Sequence, residues 1–261
     1  DVYKRQICLL AYWGLLAYAV HRWLVPWIAG RSGQKLGHLE AEVPAQIGLA
    51  FGLLISFIAI PVWEQHRLAE EAARGEAAAY REMAESIDDS DVAEAPSLHA
   101  ALRAAVSFIV DEEWPLLPHL LTPRVAAAPI RTLRTAIHAT PDDALKNELH
   151  DLYKQAATAR ETRLKIAAAR HPPARWGIVG VIAILTLLGV GLIHAESRRA
   201  RRIALGMVAV GISCCFVILF AYTRPYLGQF AVKPVDLAEL VADMDTDASA
   251  PGVAGALETA D

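Results

Sequence analysis

Few side chains in this sequence are spaced for chemistry. Asp111, Glu112 and Glu113 stand together as an acid cluster that could have a functional role, although solvation at the end of a helix is the plainer reading. Asp243-x-Asp245-x-Asp247 imitates the start of a calcium loop. Its sixth position is Ala248 and its twelfth Ala254, so the turn glycine and the bidentate glutamate are missing. Nine histidines are scattered singly and read as surface or interface residues. Cys8, Cys214 and Cys215 lie in apolar runs with no zinc or redox spacing, and read as small packing residues. There is no G-x-S-x-G, no H-E-x-x-H and no phosphate-cradling glycine loop. No catalytic, cofactor or metal site is expected, and the chain is not expected to be an enzyme. With a net charge of −4 it offers no basic field for nucleic acid.

The residues that organise the chain are apolar. Positions 43–63 hold no charge and are long enough to cross a hydrocarbon core of roughly 30 Å at about 1.5 Å per residue. From Glu64 the composition flips to WEQHRLAEEAARGEAAAYREM, rich in helix formers and without proline, so one helix is expected to leave the bilayer and continue into water. Three more apolar runs fall at 7–28, 176–193 and 203–222. The first carries Tyr12, Trp13, Tyr18, Trp23 and Trp27, amphipathic aromatics of the kind that gather at membrane interfaces.

The expected fold is an all-α membrane protein, with four transmembrane helices in two hairpins (7–63 and 176–222) and an intervening helical domain over 64–175. In that domain Leu98, Leu102, Ala105, Val106 and Ile109 recur at helical spacing behind Ser97 as N-cap, and the helix ends at the Asp111–Pro115 segment. A brief helix at 130–139 precedes a long one. Thr140-Pro141 supplies the latter's cap and first residue, and Leu145, Leu149, Leu152 and Ala156 its apolar face. Arg160, Arg163, Lys165 and Arg170 gather at its C-terminal end, where cations suit the helix dipole and nearby headgroups. The hinge Glu196–Arg202 carries four arginines, and 223–261 is an exit segment with an acidic tail expected to be disordered. Residues 1–6, DVYKRQ, resemble the translation of a transposon end used in preparing sequencing libraries. They are expected to be foreign to the protein, with its true N-terminus missing.

Within 43–63, Gly48, Gly52 and Ser56 recur every four residues and share a face, while Phe51, Ile55 and Ile58 lie opposite. Two readings stay open. The small stripe packs on a neighbouring helix of the same chain, or it packs between subunits while the bulky row faces a common axis.

Several short motifs carry a resemblance. W-E-Q begins at Trp63-Glu64, E-E-W-P runs from Glu112 through Glu113 and Trp114 to Pro115, and an Arg-rich helix precedes the third span. R-P-Y-L-G runs from Arg224-Pro225 to Gly228, and V-K-P ends at Pro234. With the two-hairpin plan these resemble the bestrophin-like family of uncharacterised bacterial membrane proteins, over Ala41–Pro234. Thr223 departs from the aspartate expected before Arg-Pro. The resemblance implies a homo-oligomer, a pentamer among the assemblies it allows, in the bacterial inner membrane, with second helices lining a pore for small anions. Phe51, Ile55 and Ile58 would then form its apolar constriction. The alternative is a membrane-anchored scaffold whose helical domain binds a partner. Arg31 and Lys35 and the arginines of the 196–202 hinge lie in short loops, where positive charge weighs most, but are countered by a larger number of cations on the domain side, so charge does not fix the orientation; the resemblance places the domain in the cytoplasm.

Overall fold

The structure is a computed structural model that describes residues 2–30, 42–119, 121, 125, 127–169 and 173–249. The loop bearing Arg31 and Lys35, Pro123, Arg170 to Pro172 and the tail from 250 onward lie outside the described residues. All regular structure among the described residues is helical. The helices are α1 (Val2–Ala19), α2 (Val25–Ala29), α3 (Glu42–Asp88), α4 (Ala95–Phe108), α5 (Ala128–Ala139), α6 (Asp143–Ala168), α7 (Pro173–Ile193), α8 (Arg198–Tyr222) and α9 (Val235–Ser249). They fall into two compact units, one of residues 1–66, 170–224 and 228–230, the other of 67–169, 225–227 and 231–261.

Four helical stretches among the described residues are long and apolar enough to cross a membrane: Gln6–Ala29, α3, Trp176–Ile193 and α8. At 47 residues α3 is about 70 Å long, and Pro61 lies inside it without ending it. Two other prolines do reshape their helices. Pro26 cannot donate to the carbonyl four residues back, and the turn before it, Val20–Leu24, widens so that Val25 N–H reaches the Val20 carbonyl. Pro115 has the same effect: Ile109–Glu113 is a π-turn closed by Trp114 N–H on the Ile109 carbonyl, and a 3₁₀ stretch, Trp114–His119, follows.

The first unit packs on aromatic and small residues. Trp13, expected at an interface, is instead buried and stacked on Phe216 at 5.3 Å, while Trp23 and Trp27 do face outward. The turn between α7 and α8 is shorter than the expected hinge, because Ser197 caps α8 by accepting from Ala200 N–H and so starts the helix at Arg198. Arg201 is buried there, donating to the Ala195 carbonyl at 3.2 Å and to His21 Nδ1 at 3.1 Å. Backbones approach closely at Gly191, where a Cβ would stand 2.8 Å from Val25 Cγ2.

The second unit has a core of helical stripes: Ala69, Ala73, Ala77, Tyr80, Met83 and Ile87 on α3, Leu98, Leu102, Ala105 and Val106 on α4, Leu145, Leu149, Leu152 and Ala156 on α6. Three expectations are corrected here. Ser97 does not cap α4; its hydroxyl donates to the Glu94 carbonyl, and the helix begins at Ala95. Thr140 is buried and donates to the Ala136 carbonyl, and it is Asp142 that caps α6, accepting from Ala144 N–H at 2.7 Å and Leu145 N–H at 3.0 Å. The acidic tail is not disordered throughout: α9 buries Leu237 and Leu240 in the same core and pairs Asp245 with Arg103 of α4. Glu239 and Asp243 face outward from an apolar edge, which average composition conceals.

Gly191→Ala is expected to lower stability by about 1 to 3 kcal/mol through overpacking. Gly180→Ala, where a Cβ meets nothing within 4 Å, is expected to leave it unchanged. Thermal unfolding of both variants in one detergent checks this, and equal behaviour would contradict the packing described.

Candidate functional site

The helical unit encloses four charges. Arg163 of α6, fully buried, grips Glu76 of α3 with one edge of its guanidinium, Nε to Oε2 at 2.7 Å and Nη2 to Oε1 at 3.0 Å. Nη2 also donates to Glu113 Oε1 at 2.6 Å. Glu113 in turn accepts from Arg160, whose Nε lies 3.0 and 3.1 Å from its two oxygens. The Trp114 ring covers the Arg163 guanidinium at 4.6 Å. Two arginines and two glutamates thus neutralise one another, with only Arg160 partly open to water.

Each charge is placed by the periodicity of its helix. Arg163 falls seven residues after Ala156, in register with the apolar stripe of α6, and Glu76 falls in the stripe of α3. Glu113 is the last residue of the π-turn that Pro115 imposes, which turns it inward while Asp111 and Glu112 remain exposed. Burial alone would lower the Arg163 pKa; the Glu76 and Glu113 carboxylates outweigh it and drive the group up, so it stays charged at any accessible pH. Burial, reinforced by the Glu76 carboxylate, raises the Tyr80 phenol, which stays neutral. With these charges paired to one another, this centre locks α3, the π-turn and α6 together, and the acids expected to solvate a helix end include one that holds the core. Arg160 and Arg163, expected near headgroups, are likewise ion-paired inside the unit.

The motifs far apart in sequence meet here. Trp114 donates from Nε1 to the Val232 carbonyl at 3.2 Å and packs edge-on against buried Tyr226 at 5.9 Å. Val232 N–H closes the segment on the Pro225 carbonyl at 2.7 Å, and Gly228 between them has φ 107°, a conformation that excludes most side chains. The Pro234 carbonyl accepts from Ala238 N–H at the start of α9. Trp63, Glu64, Pro115 and Arg224 are exposed.

In the first unit the expected pore row lies toward the protomer's own helices. Phe51 is 9% exposed and belongs to the core with Val179, Ala183 and Leu187, and Ile55 and Ile58 pack against the same cluster. Phe51 is thus turned toward the protomer's own helices, with Ile55 and Ile58 half-buried beside it. The face that points away carries Leu49, Leu53 and Phe57, 66%, 54% and 69% exposed at four-residue spacing. Of the small stripe, Gly48 approaches Thr186 of α7, whereas Gly52 has nothing within 4 Å and Ser56 is exposed with its hydroxyl on the Gly52 carbonyl. Sequence periodicity could not separate the two rows, because both are apolar.

A family model described as the Bestrophin-like domain matches residues 15–237. Among solved structures, one point variant of a bacterial bestrophin homologue from Klebsiella pneumoniae superposes with a TM-score of 0.68 at 14% identity, covering 92% of this chain and 98% of the other. A second variant of that homologue gives a TM-score of 0.65 at 16% identity, with 93% and 98% coverage. At that identity the likeness is one of fold. No curated protein sequence matches the chain.

Glu113→Gln removes the carboxylate charge shared by buried Arg163 and half-buried Arg160 and is expected to cost about 3 to 5 kcal/mol. Glu161→Gln, which breaks an exposed pair with Lys165, is expected to leave the melting temperature unchanged. Denaturation of both in the same detergent distinguishes a load on the core from surface charge.

Proposed function

Because the chain belongs to the bestrophin-like family, we propose that it is a homo-oligomeric channel for small anions in the bacterial inner membrane, with copies of α3 surrounding the axis. The observation that carries this reading is the uncovered row Leu49, Leu53 and Phe57. In its most apolar window α3 is 11% buried, against 33% for α7 and for α8, so of these spans it is the one its own chain covers least. A ring of such rows is an apolar constriction, which stops ions by holding no continuous water column until it widens. Residues 43–63 carry no charge to repel an anion, and the edge of the Phe57 ring presents positive potential to one. Gly52 and Ser56, small and exposed beside the row, allow neighbouring copies of α3 to approach. The family resemblance supports placing the helical unit in the cytoplasm, and an alkaline phosphatase fusion at the C-terminus that is active in the periplasm would contradict that side.

Replacing Leu49, Leu53 and Phe57 together by alanine is expected to raise chloride conductance in planar bilayers while stability holds. Replacing Phe51, Ile55 and Ile58 instead is expected to unfold the protein, at about 2 to 5 kcal/mol for each large-to-alanine truncation in a packed site. Absence of current from wild type and from the first variant, in protein shown to be folded and oligomeric, would sink the channel reading and favour a membrane-anchored scaffold.

A further inference from the structure

A groove of about 720 Å³ runs between α1 and α8, and its two ends differ in chemistry. Along its length it is apolar. Gly14 and Gly206 form a trough in which a Cβ would meet nothing within 4 Å, Leu10 and Val210 flank it, and the Ser213 hydroxyl is already committed to the Ala209 carbonyl at 2.6 Å. At one end stand Arg22, Arg198 and Arg202, all exposed and without a carboxylate partner among the described residues. Arg201 is not one of this set. Turned inward onto His21 and the Ala195 carbonyl, it fixes the end of the groove on which the other three converge.

These arginines lie where local electrostatics oppose them. Arg198 and Arg202 occupy the first turns of α8, the positive end of the helix dipole, and no acid stands in the first turn to compensate. An anion seated there would be held by the guanidiniums and the dipole alike. We propose that this groove binds an anionic phospholipid, its phosphate among Arg22, Arg198 and Arg202 and one acyl chain along the trough. A helix from a second copy fits less well, because none of the apolar runs at 7–28, 43–63, 176–193 and 203–222 contains a carboxylate to neutralise three guanidiniums. A phospholipid supplies the charge and the hydrocarbon in one molecule, at the depth where α1 and α8 cross the membrane.

The test uses the full chain in mixed micelles containing phosphatidylglycerol, phosphatidylcholine or inorganic phosphate. Phosphatidylglycerol at a hundredfold above its dissociation constant is expected to raise the wild-type melting temperature by roughly 5 to 10 °C, with no rise from the other two. The Arg22→Gln, Arg198→Gln, Arg202→Gln variant is expected to lose that rise. So is Gly206→Leu, which fills the trough and leaves the cations in place; Gly14→Leu on the facing helix serves should either variant melt lower in phosphatidylcholine. Equal stabilisation by phosphatidylcholine, reproduction by phosphate alone, or an undiminished response in the filled-trough variants would overturn the proposal. Disulfide formation between copies through Gly206→Cys would also overturn it, by making the occupant a second protomer.

Discussion

Arg163 sits where water does not reach, and a guanidinium in that position must be met by carboxylates. Glu76 supplies one from the stripe of α3. The other comes from the turn that follows α4, and a regular α-turn there would leave Glu113 on a different face. The wider turn that Pro115 imposes brings it in, and with it Trp114, which covers the guanidinium and reaches on to Tyr226 and Val232. One electrostatic requirement therefore ties together three helices and the segment after α8. It also brings Trp114 of E-E-W-P against Tyr226 of R-P-Y-L-G, although more than a hundred residues separate Trp114 from Val232, to which it donates.

The apolar unit obeys a different rule. Lipid is as apolar as leucine, so hydrophobicity cannot tell a helix which side to bury, and side-chain size and shape decide instead. Glycines on α7 let Val25 and Pro44 approach, Trp13 stacks on Phe216, and α3 turns Phe51 toward them. What remains outside on α3 is a regular row of large apolar side chains beside glycine and serine.

This difference also governs what the sequence discloses. The four apolar runs, the continuation of α3 past Trp63 and the stripes of α4 and α6 are legible because charge or polarity contrasts with them. Arg163 and Glu76 were legible in principle, each a charge standing in the register of an apolar stripe, as was α9, where Leu237, Leu240, Val241 and Met244 follow helical spacing within an acidic segment. Glu113 was not, since its direction depends on a turn that departs from 3.6 residues. Nor could the faces of α3 be told apart, because Phe51 and Phe57 differ only in what the rest of the chain places beside them.

That last distinction is the centre of the account, and disulfide trapping between copies measures it directly. In a background with Cys8, Cys214 and Cys215 replaced by serine, Leu53→Cys in native membranes is predicted to form disulfide-linked subunits on oxidation, because side chains on a shared narrow axis come within the 4.4 to 6.8 Å Cα separation that a disulfide needs, roughly. Ile55→Cys, half-buried against its own protomer's helices, is predicted to stay monomeric under the same conditions. Cross-linking through Ile55→Cys with none through Leu53→Cys would contradict the assignment of α3's outward face to the axis.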